Sequence, residues 1–199
     1  MNFNKNYFDV FYLFIAKINQ EIFNNLLKFN GIVVVYNQSY ISDLTQFIEI
    51  KNFCKKKNIK FYILDNYKLA IKHNLDGIIL SHNNRTYSHI KLVSKKNFTF
   101  VGKAHNQNNY YVKSHQRCSK IILSPIFKND KYNYNELLGI SKFNLISKNW
   151  NKEIYALGGI NIKNLKKINM TRSKGLGFSS SIFKLKIKKP VLYSRTGFL

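Results

Sequence analysis

The sequence predicts a single α/β domain folded as a (β/α)₈ (TIM) barrel, and three observations lead to this fold class. Eight short runs of β-branched and aromatic residues recur along the chain, and their apolar residues are continuous, which is typical of strands covered on both faces. Helical or helix-length segments separate these runs. With 199 residues, the chain has the length of one domain.

The predicted strands occupy residues 10–15, 32–36, 60–64, 77–80, 98–102, 120–123, 154–157 and 175–178. Apolar stripes at helical spacing within 22–29 and 41–54 predict two of the intervening helices. Ser42 or Asp43 is the candidate N-cap of the second helix. Asp76 is predicted to orient the start of the fourth strand, and His89 to lie on the surface of a helix.

The alternation of strands and helices is compatible with two architectures, an open doubly wound sheet and a closed barrel. The chain is short for a barrel, whose usual length is about 250 residues. However, no Gly-rich dinucleotide fingerprint follows the first strand, which removes the main reason to prefer the open sheet. We assign residues 1–183 to the barrel and predict that residues 184–199 form a basic surface tail.

The net charge of +24 has two interpretations. Many cationic side chains could bind a polyanion such as a nucleic acid. Alternatively, Lys, Asn, Ile, Phe and Tyr are over-used together, as A+T-rich codons would produce, although such drift does not explain the shortage of Asp and Glu. The lysines are scattered and several fall at predicted helix ends, where a cation complements exposed carbonyls. Drift is therefore favoured, and no nucleic-acid partner is predicted.

Cellular location is inferred from the cysteines and the apolar segments. Cys54 and Cys118 match no metal-ligand spacing and are predicted to be reduced thiols. No apolar run approaches the roughly 18–20 residues that cross a bilayer. The first residues lack a small-residue cleavage site after their apolar stretch. We expect a cytoplasmic protein without membrane contact, and the sequence does not predict its oligomeric state.

Two turns after the last two predicted strands are candidate phosphate-binding segments. Gly158 and Gly159 end one strand, and Ser179 and Ser180 follow the other. Glycines let the backbone approach a ligand closely, and a following helix can direct its N–H groups at an anion. Barrels commonly hold phosphate groups at these two turns. The alternative interpretation is a turn that needs glycine but binds no ligand.

Six segments resemble the thiamine-phosphate synthase/TenI family in the family's order and spacing, between about residues 31 and 183. The clearest are Ala-Leu-Gly-Gly-Ile-Asn at 156–161, similar to the family's AIGGI, and Ser-Pro-Ile-Phe at 124–127, similar to its GPIF. The other four lie at 65–71, 76–80, 102–105 and 138–140. The resemblance implies a (β/α)₈ barrel and favours it over the open sheet.

The resemblance also implies a reaction in thiamine biosynthesis. In this family, Mg²⁺ and cationic side chains pull pyrophosphate off a pyrimidine-methyl diphosphate. The nitrogen of a thiazole phosphate then captures the carbocation. The expected partners are therefore phosphorylated small-molecule substrates, and the expected cofactor of an active enzyme is Mg²⁺.

Four candidate residues carry the expected metal and catalytic roles. Asp65 matches the first magnesium-binding acid of the family. Asn84 stands where the family has the second, and its amide oxygen could ligate Mg²⁺ without contributing charge. Lys131 is the candidate for neutralising the leaving group, displaced by one position from the family's lysine. His82 ends the fourth predicted strand, where barrel active sites form.

Asn129, Lys103 and Asn37 complete the candidate phosphate-binding residues. Asn37 and Ser39 occupy the positions of the arginine and lysine in the family's Gln-x-Arg-x-Lys segment, so this segment contains no cation here. Two hypotheses follow. The chain is an active synthase with rearranged contacts, or a non-catalytic or repurposed barrel that binds a phosphorylated small molecule in the same pocket.

Overall fold

The chain folds as a closed barrel of eight parallel strands. A computed structural model describes residues 10–15, 22, 24, 26–27, 31–37, 44–92, 97–129, 132–161 and 163–179. Each strand pairs with the next one along the chain, and the first pairs with the last. The predicted (β/α)₈ barrel is confirmed, and the open doubly wound sheet is excluded.

The strands are β1 (Val10–Ile15), β2 (Ile32–Tyr36), β3 (Lys60–Leu64), β4 (Gly77–Leu80), β5 (Thr99–Ala104), β6 (Lys120–Leu123), β7 (Glu153–Leu157) and β8 (Gly175–Ser179). The helices whose two ends lie among the described residues are α1 (Leu44–Lys56), α2 (Tyr67–Lys72), α3 (Gln107–His115) and α4 (Gly139–Ser147). Short 3₁₀ helices lie at Ser88–Leu92, Tyr134–Glu136 and Leu165–Met170. Among the strands, only β5, β7 and β8 differ at their ends from the prediction.

The sheet has apolar side chains on both faces, which explains the continuous apolar runs. All five residues of β2, Ile-Val-Val-Val-Tyr, are buried. One hydrophobic cluster contains buried residues of strands alone and fills the barrel interior: Tyr12, Val33, Val35, Tyr62, Ile79, Val101, Ile122 and Tyr155. A larger cluster joins the outer face of the sheet to the helices.

Helix α1 shows how the helices cover the sheet. It buries Phe47, Ile50 and Cys54, and Lys55 and Lys56 lie in its last turn, where cations are favoured. Its candidate N-caps, residues 42 and 43, lie outside the described residues, as do residues 184–199.

Asparagine caps fix the start of two helices that follow strands. The Asn66 side chain accepts a hydrogen bond from the backbone N–H of Leu69 at the start of α2. The Asn106 side chain accepts one from the backbone N–H of Asn109 at the start of α3. An asparagine oxygen at this position satisfies an amide that the helix leaves unpaired. These caps fix the chain where it leaves β3 and β5.

The predicted structural role of Asp76 is confirmed. Its Oδ2 atom accepts a 2.8 Å hydrogen bond from the backbone N–H of Phe61, which connects the start of β4 to the start of β3.

Cys54 and Cys118 are buried free thiols, and burial raises the pKa of each to about 12. Such thiols are poor nucleophiles. Within the described part of the chain, no helix is both long and apolar enough to cross a bilayer.

Candidate functional site

The described candidate residues lie at one end of the barrel, which we call the mouth: the end where the carboxyl termini of the strands meet. They lie at the carboxyl ends of the strands or in the segments that follow: Asn37, Asp65, His82, Asn84, Lys103, Asn129, Gly158, Gly159 and Ser179. Lys131 and Ser180 lie outside the described residues. The barrel topology therefore brings together residues that are far apart in sequence.

Asp65 and Asn84 are in direct contact at the mouth. The Asn84 Nδ2 atom donates a 2.8 Å hydrogen bond to Asp65 Oδ1, which also accepts the backbone N–H of Ser81 at 2.8 Å. Both the backbone N–H and the hydroxyl of Thr86 donate to Asn84 Oδ1 at 3.0 Å. A backbone N–H can only donate, so the amide oxygen of Asn84 must face Thr86 and its nitrogen must face the carboxylate.

This arrangement does not fit a magnesium ion shared by Asp65 and Asn84. The atom that Asn84 turns toward the carboxylate is a nitrogen, and its oxygen also faces Gln116 Nε2 at 3.3 Å. No cluster of three or more His, Cys, Asp or Glu side chains suited to a metal occurs in the described part of the chain. Mg²⁺ usually binds through one or two carboxylates, waters and substrate phosphates. Binding of Mg²⁺ therefore stays a prediction, which a metal-binding measurement can test.

A lysine lies buried beneath this pair. Lys113, in α3, is 0% exposed. Its Nζ atom donates to the backbone oxygen of Asn84 at 2.7 Å and to Gln116 Oε1 at 2.9 Å. Gln116 Nε2 in turn donates to the backbone oxygen of Thr86 at 2.8 Å. Burial lowers the pKa of Lys113 to about 8, which still leaves the amine mostly charged at neutral pH.

Lys113 is a residue that sequence reasoning missed, because a lysine in a helix is ordinarily a surface residue. The sequence contains one indication of this burial, a glycine in β5, but its meaning is visible only in the structure. A Cβ atom at Gly102 would lie 2.6 Å from both Cβ and Cγ of Lys113. The glycine therefore makes room for the lysine stem against the sheet.

The predicted surface position of His89 is wrong. It was predicted to lie on the surface, yet it is 0% exposed on the 3₁₀ helix Ser88–Leu92. Its Nε2 atom lies 3.0 Å from the backbone oxygen of Gln116. Together with Lys113 and Gln116, it fastens the segment after β4 to α3.

His82 forms a ring pair with His105 at the mouth. Their ring centroids are 4.1 Å apart, and His105 also contacts Tyr132 at 5.6 Å between centroids. Burial lowers the pKa of His105 to about 4, with His82 and Lys103 contributing, and burial also lowers the pKa of His82. Both imidazoles are therefore neutral at pH 7. His82 can accept a proton or form a hydrogen bond there, but it does not supply positive charge.

Two described ammonium groups contribute positive charge at the mouth. Lys103 Nζ lies 5.5 Å from the ring centroid of Phe14, and Lys128 Nζ lies 4.6 Å from that of Tyr134. Cations at these distances are attracted to the ring faces. Lys103 comes from β5, and Lys128 comes from the segment that follows the neighbouring strand β6.

The glycine pair after β7 has a packing role. A Cβ atom at Gly159 would lie 2.3 Å from the backbone oxygen of Phe127 and 2.4 Å from that of Lys128. A Cβ atom at Gly158 would lie 2.9 Å from Pro125 Cα. The segment after β6 thus fills the space next to both glycines. A phosphate could not occupy that space and would have to contact other atoms of the turn.

The segment that follows the glycine pair also differs from the expectation. We expected a helix directing free N–H groups at an anion, but a turn and the 3₁₀ helix Leu165–Met170 follow β7. The N–H groups of Asn161 and Lys163 donate to side-chain oxygens of Asn164 and Asn161, at 2.8 and 2.9 Å. Asn164 Nδ2 donates to the backbone oxygen of Gly159 at 2.8 Å. The predicted phosphate-binding roles of Gly158, Gly159 and Ser179 stay predictions.

A cavity of about 360 Å³ opens at the opposite end of the barrel. The starts of β1, β2, β3 and β6 line it, together with Lys57, Lys60 and Lys120. Lys120 forms an ion pair with Glu153 at 3.0 Å. Because barrel enzymes act at the carboxyl ends of their strands, we place the candidate site at the mouth and not in this cavity.

A closed (β/α)₈ barrel with polar and cationic side chains around its mouth is the architecture of barrel enzymes that act on small molecules. The family model described as "Thiamine monophosphate synthase" matches residues 36–182. This chain therefore belongs to that family, which confirms the resemblance seen in the sequence.

Individual relatives agree with this membership. A "Thiamine-phosphate synthase" of Flavobacterium psychrophilum is 27% identical over 139 residues, covering 67% of this chain and 68% of the relative. One of Prochlorococcus marinus is 26% identical over 148 residues, covering 70% of this chain and 40% of the relative. The chain thus spans 40% of the length of that second relative.

Solved structures support the fold. The "Thiamine phosphate pyrophosphorylase from Pyrococcus furiosus" aligns with a TM-score of 0.73 at 15% identity, covering 92% of this chain and 91% of that one. The enzyme of the same name from Bacteroides thetaiotaomicron aligns with a TM-score of 0.60 at 15% identity, covering 94% of this chain and 89% of that one. At this identity the likeness concerns the fold alone.

Proposed function

We propose that this chain is a divergent thiamine-phosphate synthase that joins a pyrimidine-methyl diphosphate to a thiazole phosphate at the mouth of the barrel. The observation that supports the proposal is the convergence of the described candidate residues at the mouth, in a chain of the thiamine monophosphate synthase family. The whole reaction is a proposal, because the matched relatives are distant.

The proposed chemistry needs positive charge more than it needs a base. The carbon–oxygen bond to pyrophosphate breaks and its electron pair leaves with the pyrophosphate oxygen. The thiazole nitrogen then donates its lone pair to the carbocation. Lys103 and Lys128 stabilise the charge that develops on the leaving group, with Lys131 as a further candidate. Neutral His82 offers a hydrogen bond to the substrate, and Asp65 orients the segment after β4.

A second candidate function is a non-catalytic or repurposed barrel that binds a phosphorylated small molecule at the same mouth. Two observations favour it. The segment after β2 contains no cation where the family has an arginine and a lysine, at Asn37 and Ser39. In addition, Asp65 and Asn84 are hydrogen-bonded to each other instead of presenting two oxygens to an ion.

A turnover assay distinguishes the two functions. Purified protein is mixed with the pyrimidine-methyl diphosphate, the thiazole phosphate and Mg²⁺, and thiamine phosphate is measured as product. We expect product, and a decrease of about 10²-fold or more in rate for Lys103→Met, the loss typical of removing one group that stabilises transition-state charge. Lys148→Met is the matched control, because Lys148 is exposed at the end of α4, away from the mouth.

The outcome that would refute the synthase is the absence of product from folded protein. If that protein still binds the thiazole phosphate in a calorimetric titration, the second function is supported. If it binds no phosphorylated ligand at all, neither function holds.

A further inference from the structure

The buried position of Lys113 has to be compensated, because burying an unpaired ammonium group is costly. Its hydrogen bonds go to two neutral oxygens, the backbone oxygen of Asn84 and Gln116 Oε1. The carboxylate that acts on it at longer range is Asp65, whose charge favours the protonated amine. The compensating negative charge for the buried lysine is therefore at the mouth.

Asn84 connects the two charges. Its side-chain nitrogen donates to Asp65 Oδ1 at 2.8 Å, and its backbone oxygen accepts from Lys113 Nζ at 2.7 Å. The side-chain nitrogen of Gln116 also donates to Asn84, to its backbone oxygen at 3.2 Å and to its Oδ1 atom at 3.3 Å. The carboxylate, the asparagine and the ammonium group thus form one continuous hydrogen-bonded unit from the mouth into the protein.

We infer that Lys113 takes the electrostatic place of a divalent cation behind Asp65, so that the mouth binds no Mg²⁺ in the absence of substrate. Lys113 is a positioning residue, since it acts through Asn84 on Asp65 and does not reach the mouth itself. The inference rests on the proposed function only for the location of the site.

The charges explain why an ion would be disfavoured. Two carboxylates attract a divalent cation strongly, whereas Asp65 and Lys113 together carry no net charge. Positive charge from nearby Arg85 opposes that of Lys113 and would oppose that of an added metal ion as well. Restoring a carboxylate at residue 84 and removing the ammonium group should therefore create a metal site from the residues already in place.

The test measures metal binding in the absence of substrate. Wild-type protein, Asn84→Asp and the double variant Asn84→Asp with Lys113→Met are titrated with Mg²⁺ by calorimetry and with Mn²⁺ by electron paramagnetic resonance. We expect no saturable binding to the wild type at millimolar metal. We expect the double variant to bind at least about tenfold more tightly than Asn84→Asp alone, because a unit charge close to the ion has been removed.

Two results would overturn the inference. One is saturable binding of Mg²⁺ to the wild type, lost on Asp65→Ala. The other is a double variant that circular dichroism shows to be folded but that binds metal no better than Asn84→Asp. If Lys113→Met prevents folding, Lys113→Gln replaces it, because glutamine keeps a donor for the backbone oxygen of Asn84. A negative turnover assay would not alter these readouts, so failure of the synthase proposal is distinguishable.

Discussion

Gly159 provides a quantitative test of how the segments after β6 and β7 pack together. In Gly159→Ala, the new residue must keep a φ of +67°, a left-handed conformation that costs an L residue about 1–2 kcal/mol. Its Cβ would also lie 2.3 and 2.4 Å from the backbone oxygens of Phe127 and Lys128. Moving that backbone should cost about 1–3 kcal/mol more, the usual range for overpacking. We expect a total destabilisation of about 2–5 kcal/mol.

The chain contains a matched control. Gly139, the first residue of α4, also has a left-handed backbone, with a φ of +59°, but a Cβ there would have no neighbour within 4 Å. Gly139→Ala should therefore cost only the conformational part, about 1–2 kcal/mol. The difference between the two variants isolates the steric contact.

Urea unfolding of wild type, Gly159→Ala and Gly139→Ala measures both effects, provided that the dependence of the unfolding free energy on urea is the same for all three. We expect Gly159→Ala to be the less stable variant by about 1–3 kcal/mol. Equal destabilisation of the two variants would refute the close approach of the two segments. A loss of ligand binding in Gly159→Ala would not by itself show that the glycine contacts a ligand.

Two further predictions concern the histidine pair and the amino-terminal end of the barrel. The pKa of His105 is about 4 in the folded protein and about 6.5 when unfolded, so its contribution to stability is present above pH 6.5 and lost as the pH falls to 4. Unfolding curves at several pH values should show His105→Gln removing about 1–3 kcal/mol of that dependence, because partial exposure of the ring weakens the full effect. An unchanged pH dependence in this variant would contradict the burial of the imidazole. Asp76→Ala should destabilise the protein by about 1–3 kcal/mol, because the N–H at the start of β3 loses its acceptor. In the same unfolding assay Asp76→Asn, which keeps an oxygen acceptor, should lose less, and equal losses would contradict the role given to this bond.

The strands were the predictable part of this fold, because their signal is local. A run such as Ile-Val-Val-Val-Tyr in β2 is apolar at every position, which is typical of a strand covered on both faces. The closure of the eight strands into a barrel could not be predicted from any single run of residues. It was predicted from the count of strand–helix units and from the family resemblance.

The turn after β7 shows what a motif does not determine. A strand that runs into Gly-Gly predicted a following helix with free N–H groups, but the side chains of Asn161 and Asn164 accept hydrogen bonds from the N–H groups of this turn. Asparagine favours such local hydrogen bonds, which compete with helix formation. Which donors stay available for a ligand therefore depends on side-chain orientations that the sequence does not specify.

Lys113 shows why the candidate site was only partly predictable. Its burial depends on Gly102 in a neighbouring strand and on Asn84, residues that are 11 and 29 positions away in sequence. Asp65 and Asn84 were predicted from the family resemblance and His82 from its position at a strand end, and the structure brings Asp65 and Asn84 into contact. The hydrogen-bond orientation that makes Asn84 a donor to Asp65 is a three-dimensional property.

Both proposed functions require that a phosphorylated small molecule binds at the mouth. A crystal structure of the protein with the thiazole phosphate tests this most directly. We predict density for the phosphate at the mouth, beside the turn that follows β7 and the carboxyl end of β8. Density instead in the cavity at the opposite end, beside Lys57, Lys60 and Lys120, would contradict the claim.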